Sequence, residues 1–521
     1  MTSPDQSPCA QMGVYPSSLA SRLPPELLVN IFEYLVTHSS PAILLRICRR
    51  WADIASSVSS LWTRIDFSTP PAPFLQRSLD LPIEVNLSSP VMQQVSVARE
   101  VLSLHHDRIH KLGLNLSARL LREIGPELED IFPILEDVTI SAVHGSSNHS
   151  PAFPEWTPFA SPSPIQYLRL LLVSTPWVPG RFQNLVEFFL HDQWYISSDP
   201  PMEIFLDILE SSPQLTVLSV ANAGPRSRSH TTTIPLASRT VHLRNLQQLY
   251  LEQEDVCDVG GILVHLSIPV SANVRIFVDL SGDNEMATDP LEDVFDLALP
   301  DHYWLPHLTN PHRCTYAVDN QPSCLITAPN FAFRVIWDED RETHCEYFML
   351  PFLRRVAAAG VLEDLSTIFD VDTRYNISQS LWNEAFGTLG SLRKLRVKQL
   401  QDDGAFPIRG LLESQLCPTL QDLELSSIVF GEKPEEEGLG DPLVEKLVDC
   451  CAEQGRRGHR LQRLIIEAPT NAPPDLALLL APHVDYVEIR GDVSRGGGVG
   501  KLEFGSRQVF DSLRTCRHDT F

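Results

Sequence analysis

The residue types that could carry out catalysis are present in this sequence, but their spacing fits no familiar catalytic site. The run GGGVGK at Gly496 to Lys501 ends in the Gly-Lys pair of phosphate-binding loops. Such a loop also needs a glycine five residues before that pair and a Ser or Thr after the lysine, where this chain has Arg495 and Leu502. Because the glycine of the turn and the Mg²⁺ ligand are both missing, we interpret the run as an ordinary loop.

Metal-binding and nucleophile motifs are incomplete as well. The run His344-Cys345-Glu346 lacks the second histidine that a zinc-protease helix places four residues after the first, and no G-x-S-x-G motif occurs. Three histidines, His105, His106 and His110, fall on a predicted helix at 97–110 without further ligands at metal spacing, and we expect them to be exposed. The sequence therefore predicts no catalytic residue, no metal site and no cofactor.

The charge balance narrows the class of partner. The 521 residues include 41 Lys and Arg against 66 Asp and Glu, which gives a formal net charge of −25. The first part of the chain, 1–60, is balanced, so the excess negative charge lies after it. Such a surface repels nucleic-acid phosphates and anionic lipids within a Debye length of about 8 Å. We expect a protein partner, with no nucleic acid and no membrane.

Targeting signals and cysteine spacing bear on the location of the chain. No run approaches the ~18 consecutive apolar residues of a membrane span, and the first residues lack the basic and apolar regions of a signal peptide. The ten cysteines include no C-x-x-C pair and are too scattered for a disulfide framework. We expect reduced thiols and a cytoplasmic and/or nuclear location.

The segment 21–65 is the first with strong helical periodicity. Pro24 and Pro25 open a helix whose apolar side chains cover an arc of about 220°, and Ser40-Pro41 provides the N-cap of a second helix with an arc of about 200°. A surface helix needs an apolar stripe only slightly wider than 100°, so each helix has two faces to bury. A unit this small cannot bury both alone, so the rest of the chain or a separate protein must cover the second face.

Three stretches of this segment resemble an F-box. They are LPPELLVNIFEYL from Leu23 to Leu35, LLRICRRWADIASS from Leu44 to Ser57 and LWTRIDFS from Leu61 to Ser68. The following PFLQRSLDLPIEVNLSS, from Pro73 to Ser89, is similar to the segment after the F-box in many fungal, mushroom-type F-box proteins.

The resemblance implies a substrate-recognition subunit of an SCF-type (Skp–cullin–F-box) ubiquitin ligase. The F-box would bind the Skp adaptor, and through it the cullin and RING subunits, while the later region captures an unknown protein substrate. No RING-like Cys/His framework occurs in the sequence, so ubiquitin transfer would come from the partner subunits. The residues implied to face the adaptor, or to pack beneath that face, are Leu23, Pro24, Leu27, Leu28, Ile31, Phe32, Leu35, Leu44, Cys48 and Trp51.

A helix-turn-helix DNA-binding domain is another arrangement of three short helices. Its recognition helix needs basic or amide side chains within a basic surround. Arg49 and Arg50 are the only adjacent basic pair in residues 1–60, which carry no net charge, and this disfavours DNA binding.

The remainder of the chain contains irregular repeats. The pattern L-x-x-L-x-L recurs at intervals of 20 to 41 residues within each group of copies, which fits one strand plus one helix or loop per repeat, as in leucine-rich repeats. The Asn or Cys that forms a side-chain ladder in regular repeats is absent, with Glu254 and Ile428 among the residues in its place, so we expect no ladder. The middle positions of the copies are Val138, Leu168, Phe188, Leu218, Leu249, Leu395, Leu423, Leu464 and Val487, with an earlier copy at Leu112.

The predicted fold class is α/β (α+β overall), a small N-terminal helical F-box followed by an irregular leucine-rich-repeat-like solenoid. A separate insertion at about 282–345 is an alternative for the segment where the pattern is obscure. The predicted parts are a polar tail at 1–20, the F-box at 21–68, a linker and cap leading into the repeats at 69–134, and an irregular leucine-rich-repeat-like substrate-binding region at 135–521 with loops at 141–164 and 281–330.

Parallel stacking of the repeats would place the residue between the last two apolar positions on the open surface of the sheet. Aromatic residues and arginine at these positions favour protein binding, although an ordinary solvated sheet face is the simpler alternative. The candidate substrate contacts are Arg169, Phe189, Tyr250, Arg396, Glu424, Ile465 and Glu488, and Ser219 occupies the same position. A non-ligase F-box scaffold remains the second hypothesis, and an enzyme on an α/β scaffold is disfavoured by the incomplete motifs.

Overall fold

The structure is a computed structural model, and it divides the chain into two units. Unit 1 holds Met1–Glu285, Asp296–Pro306 and Asn330–Phe333, and unit 2 holds Met286–Phe295, His307–Pro329 and Arg334–Phe521. The residues that the structure describes are 23–36, 40–88, 92–129, 131–143, 164–173, 177, 180–193, 201–226, 238–280, 297–299, 305–309, 311–319, 323–337, 351–356, 362–369, 379–399, 417, 419–430 and 442–491. The polar tail at 1–20, the run His344-Cys345-Glu346 and the GGGVGK run lie outside these residues.

Unit 1 begins with a small helical domain. Its elements are α1 (Pro25–Val36), a 3₁₀ helix (Pro41–Arg46), α2 (Arg49–Ser57), a second 3₁₀ helix (Ser59–Trp62) and the short strand β1 (Arg64–Ile65). The Ser40 hydroxyl accepts a hydrogen bond from the Ala42 amide at 3.4 Å, as the N-cap prediction requires. The single second helix predicted from Ser40 onwards is wrong, because extended backbone at Cys48 separates the 3₁₀ helix from α2. This break leaves Leu44 buried while Ile43 and Ile47 are exposed.

Parallel strands form the rest of unit 1. Each strand pairs in register with the next, and the middle residues of the repeat pattern are buried side by side. The strands are β2 (Ile83–Ser88), β3 (Ile109–Ser117), β4 (Asp137–Val143), β5 (Tyr167–Leu171), β6 (Glu187–His191), β7 (Val217–Ala221), β9 (Gln248–Gln253) and β11 (Asn273–Asp279), with β8 (Val241–His242) and β10 (Leu266–Ser267) as a separate pair. The helices are α3 (Ala72–Ser78), α4 (Met92–His105), α5 (Ala118–Ile124), α6 (Met202–Glu210) and α7 (Val256–Leu263).

The helix predicted at 97–110 ends earlier than expected. It stops at His105, and His110 lies in β3, where Ile109 and Leu112 are buried. The predicted exposure of the three histidines is also wrong, since all three are half-buried. Partial burial lowers the pKa of His105, and the ring of His106 lies 6.3 Å from that of Phe132.

Unit 2 repeats the parallel arrangement after an antiparallel start. β12 pairs antiparallel with β13 and parallel with β15, and from β15 onwards each strand pairs parallel with the next. The strands are β12 (Arg313–Asp319), β13 (Ser323–Ala328), β15 (Asp364–Phe369), β16 (Lys394–Gln399), β17 (Asp422–Ser426), β18 (Leu461–Glu467) and β19 (Val484–Arg490). The first half of β14 (Phe331–Ile336) belongs to unit 1 and its second half to unit 2. The helices from here on are α8 (Pro306–Thr309), α9 (Gln379–Thr388), α10 (Pro442–Arg456) and α11 (Leu476–Leu480).

Two predicted loops differ from the observed elements. β12 and β13 lie inside the segment 281–330, whose abundance of Pro, Asp and Asn hides the short buried pattern of Cys314, Tyr316 and Val318. The segment predicted as a loop at 141–164 begins within β4, and its residues 144–163 lie outside the described part of the chain. Apart from these segments, the fold class is as predicted: a helical N-terminal domain followed by mostly parallel α/β repeats.

A left-handed residue directly follows six of the described parallel strands. In unit 1 the positive φ angles are 56° at Leu172, 52° at Asp192 and 48° at Asn222, and in unit 2 they are 55°, 48° and 102° at Ser427, Ala468 and Gly491. Amides of this set donate to carbonyls at the end of the next strand, for example from Asp192 to the carbonyl of Ala221, the last residue of β7, at 2.8 Å. The turn therefore extends the strand pairing by one residue per repeat.

We expect Ala468→Gly to stabilise unit 2 by about 0.5–1 kcal/mol. A left-handed conformation costs an L-residue roughly 1–2 kcal/mol, and glycine avoids this cost. Glycine also loses more backbone entropy on folding, which offsets part of the gain. Ala477→Gly in α11 is the matched control and should destabilise the unit by a similar amount. Urea unfolding of both variants measures the two changes, and destabilisation by Ala468→Gly would contradict the turn assignment.

The absence of Asn or Cys at the ladder position predicts no side-chain ladder, but two glutamines form hydrogen bonds of this kind between neighbouring repeats. Gln193 donates through Nε2 to the Val173 carbonyl at 2.8 Å, and Gln253 donates in the same way to Ala223 at 2.8 Å. Both glutamines are buried and each reaches back one repeat. Glutamine thus satisfies a buried loop carbonyl here, as Asn or Cys does in regular repeats.

Candidate functional site

The helical domain has its own small core. Leu28 and Phe32 of α1 are fully buried, as are Leu44 and Ala55 from the segments that follow. The ring of Trp51 on α2 lies 4.8 Å from that of Phe32. These contacts use only one face of α1 and leave the adjacent face exposed to solvent.

That adjacent face is apolar. Along α1 the exposed fractions are 48% at Leu27, 39% at Ile31 and 38% at Leu35, at spacings that place them on one stripe. Ile43 and Ile47, which follow in the chain, are 51% and 52% exposed. We define the N-terminal apolar surface as the exposed set Pro24, Leu27, Ile31, Tyr34, Leu35, Ile43, Ile47 and Cys48.

The ten residues predicted to face an adaptor, or to pack beneath that face, divide into three groups. The exposed ones are Pro24, Leu27, Ile31, Leu35 and Cys48, the half-buried ones are Leu23 and Trp51, and the core ones are Leu28, Phe32 and Leu44. Three exposed apolar residues, Tyr34, Ile43 and Ile47, were absent from the predicted set although they lie on the predicted apolar arcs. A helical projection cannot tell which of two apolar faces is buried in the domain core. The packing of the structure shows which one is exposed to solvent.

Trp62 joins the helical domain to the first repeat. Its indole Nε1 donates to the Ala55 carbonyl at 2.7 Å, and its ring is 1% exposed. The ring of Phe74 on α3 meets it edge-on at 5.3 Å, and the Arg77 guanidinium lies over it at 4.4 Å. Strand β1 then pairs in parallel with β2, with the Glu84 amide donating to the Thr63 carbonyl at 2.9 Å. The helical domain is therefore connected to the repeat sheet through β1 and does not stand apart from it.

Comparison with known families agrees with this geometry. A family model described as F-box-like matches residues 20–68, which span α1, α2 and the second 3₁₀ helix. Residues 20–68 are an F-box-like domain. Among curated proteins, no sequence matches the chain. The matched part is a small share of the chain, so the repeats after the F-box rest on the structure alone.

In unit 1, the candidate substrate contacts after the F-box lie side by side on the sheet. Arg169 pairs with Asp137 at 3.1 Å and with Glu187 at 2.5 Å, and its guanidinium lies 5.4 Å from the ring of Phe189 on the next strand. Tyr250 lies two strands further on. It donates from its hydroxyl to a Glu252 carboxylate oxygen at 2.6 Å.

Ser219 lies between Phe189 and Tyr250 in the strand register. The expectation that it faces open solvent is wrong, because it is 4% exposed and its hydroxyl lies 2.8 Å from Nε2 of His191. The His191 ring lies 6.1 Å from Phe189 and 6.5 Å from Tyr250, so aromatic rings surround the serine. The structure thus places Arg169, Phe189 and Tyr250 on one row of the unit 1 sheet.

In unit 2, the candidate contacts form an ion-paired row. Arg396 pairs with Asp364 at 3.0 Å and with Glu424 at 3.3 Å. A hydrogen bond from Arg490 lowers the pKa of Glu488. Ile465, between Glu424 and Glu488 in the register, is 4% exposed, so the predicted exposure of this residue is wrong. Glu424 and Glu488 are both engaged in ion pairs, and burial of the apolar side chain between them in the register removes it from water.

Within the described part of the chain, the buried thiols are poor nucleophiles. Burial raises the pKa of Cys314 and of Cys417 to about 12, and that of Cys451 also to about 12. Among the same residues, no group of three or more His, Cys, Asp or Glu side chains is arranged to hold a metal ion. No described helix combines the length and apolar character that crossing a bilayer requires.

Cys48 gives a direct test of whether the N-terminal apolar surface is free. Its thiol is exposed, whereas Cys314, Cys417 and Cys451 are buried. We expect iodoacetamide to alkylate Cys48 of the native full chain about 100-fold faster than these three, since burial of the three both blocks the reagent and raises their pKa. Peptide mass spectrometry measures the site-specific rates, and denatured chain is the control in which the rates converge. A protected Cys48 would mean that other parts of the chain cover this surface.

Proposed function

We propose that this chain is the substrate-recognition subunit of an SCF-type ubiquitin ligase. The observation that carries the proposal is an F-box-like domain whose core is complete and whose second helical face is apolar and exposed. An F-box implies a Skp-type adaptor as partner. The exposed apolar set on α1 and the following segment provides the area and the aromatic and aliphatic side chains that protein interfaces use.

The proposed subunit acts by proximity rather than by chemistry of its own. It binds the adaptor, and through it the cullin and RING subunits, while the sheet face holds a protein substrate near the loaded conjugating enzyme. Arg169, Phe189 and Tyr250 are the proposed contacts in unit 1, and Arg396, Glu424 and Glu488 are those in unit 2. Ile465 shares the row of the unit 2 contacts but is buried. A cytoplasmic and/or nuclear location and a relationship to fungal, mushroom-type F-box proteins belong to the same proposal.

The decisive experiment uses the full chain, because Trp62 depends on Phe74 and Arg77, which a fragment ending at residue 70 lacks. Purified Skp adaptor and the full chain are mixed and passed over a size-exclusion column, with the double variant Leu23→Ala, Pro24→Ala alongside. We expect co-elution of the wild type and clearly reduced co-elution of the variant, whose weaker affinity calorimetry can still measure, with unchanged circular dichroism. Absence of any wild-type complex would overturn the proposal.

Adding cullin and RING subunits separates the ligase from a scaffold. A ligase receptor assembles with them and directs ubiquitin to a bound protein. A scaffold that binds adaptor but never recruits cullin supports the non-ligase alternative instead. In both cases the adaptor complex itself is the shared first step.

A further inference from the structure

Arg50 on α2 makes a contact with the residue that comes two positions before α1. It lies in the first turn of α2, and its Nη2 donates to the carbonyl of Leu23 at 2.5 Å, 27 residues earlier in the chain. Leu23 and Pro24 precede α1, whose first ladder bond runs from the Leu28 amide to the Pro24 carbonyl at 3.2 Å. The Leu23 carbonyl therefore lies outside the helical ladder, and the guanidinium holds it in place.

The start of α1 has no side-chain cap of its own. Proline occupies both positions 24 and 25, and a proline side chain cannot accept the hydrogen bond that Ser, Thr or Asp would accept at an N-cap. The charge-assisted bond from Arg50, which is half-buried, does not cap the first amides of α1, but it restrains the chain just before them at the Leu23 carbonyl. Without it, Leu23 and Pro24 would have to be ordered at the moment a partner binds, which lowers affinity.

The neighbouring Arg49 provides a contrast within the same turn. Consecutive residues on a helix point about 100° apart, so the two arginines face different directions. Arg49 is exposed, whereas Arg50 is half-buried and directed back at the Leu23 carbonyl. The two side chains carry the same charge, so their comparison isolates the contact from the charge.

We propose that Arg50 is a positioning residue for adaptor binding, which fixes Leu23 and Pro24 beside α2 so that their side chains are ready to contact the adaptor. This inference rests on the proposed function above. Arg50 acts through Leu23 and Pro24 rather than through a contact of its own guanidinium with the adaptor.

A double-mutant cycle in the full chain tests this role. The variants are Arg50→Ala, Arg50→Lys, Arg49→Ala, and Leu23→Ala, Pro24→Ala with and without Arg50→Ala, and the readout is adaptor affinity by calorimetry. We expect Arg50→Ala to weaken binding about tenfold and Arg49→Ala to change it less than about twofold. Lysine should recover part of the loss, and Arg50→Ala should cost less than about twofold when Leu23 and Pro24 are already truncated.

Three outcomes overturn the inference. Equal losses for the two arginines would assign the effect to charge, additive losses in the double-mutant background would assign it to direct contact, and unchanged binding would remove the role. Hydrogen exchange of the first turn of α1 provides a readout without adaptor, and Arg50→Ala should speed it while Arg49→Ala should not. If wild type fails to bind adaptor but this exchange difference appears, the proposed function fails while the restraint on Leu23 stands.

Discussion

Leu27→Glu in the full chain is expected to weaken adaptor binding by more than about 100-fold while leaving the fold intact. Leu27 is 48% exposed at the centre of the N-terminal apolar surface, and truncation of such interface anchors costs about 2–4 kcal/mol. A carboxylate in its place adds the cost of burying an unpaired charge against the partner. Stability should be unchanged because the residue lies in the first turn of α1, where a negative charge interacts favourably with the helix dipole.

Ile131→Glu is the matched control for this prediction. It adds the same charge to another exposed aliphatic residue of unit 1, 60% exposed and far along the chain from the F-box. We expect wild-type affinity for this variant in calorimetry with the adaptor. Equal weakening by both variants would mean that added negative charge, rather than loss of the apolar surface, governs binding.

Trp62→Ala is expected to lower the free energy of unfolding of the F-box by about 3–5 kcal/mol, the usual cost of removing a buried large aromatic residue. The loss includes the hydrogen bond to Ala55 and the ring contacts with Phe74 and Arg77. Urea titration followed by hydrogen exchange of peptides from α1 and α2 measures this transition separately from the later repeats.

Two further variants define the source of that loss. Tyr34→Ala removes an aromatic side chain that is 71% exposed in the same domain and should change the free energy of unfolding by less than about 0.5 kcal/mol. Trp62→Phe keeps most of the ring but leaves the buried Ala55 carbonyl without its donor, at a cost of about 1–3 kcal/mol. Wild-type stability of Trp62→Ala would contradict the role of this residue as the joint between F-box and repeats.

Much of the fold follows from the sequence because the buried positions of the parallel strands repeat a simple pattern. Leu168, Phe188 and Leu218 pair with one another in register, as their common position in the motif requires. The failures arise where composition and burial disagree, as in β12, whose buried Cys314 and Tyr316 lie within a Pro- and Asp-rich stretch. Left-handed turns at Leu172 and Ala468 also have no signal in their residue types, because the neighbouring strand imposes the geometry.

The sequence predicts which residues form the candidate site, but it does not predict which of their side chains face solvent. Helical periodicity placed Leu27 and Leu28 on one broad apolar arc, yet one is half-exposed and the other is fully buried. The difference depends on contacts with residues distant in sequence, such as Trp51 against Phe32. In the sheet, the position of Ile465 between the last two apolar residues of its repeat predicted that it faces solvent. The residue is buried, and this depends on the neighbouring strands, which the repeat pattern does not describe.

Because β1 pairs in parallel with β2, the F-box is joined to the same sheet whose later strands carry candidate substrate contacts. Neighbouring strands are spaced about 4.8 Å apart, and five such steps lead from β1 to β6, which carries Phe189. Under the proposed function, the number of repeats between the F-box and a captured protein sets the distance between the two. Inserting or deleting one strand moves that protein by roughly 5 Å and changes which of its lysines comes within reach, with every contact residue unaltered.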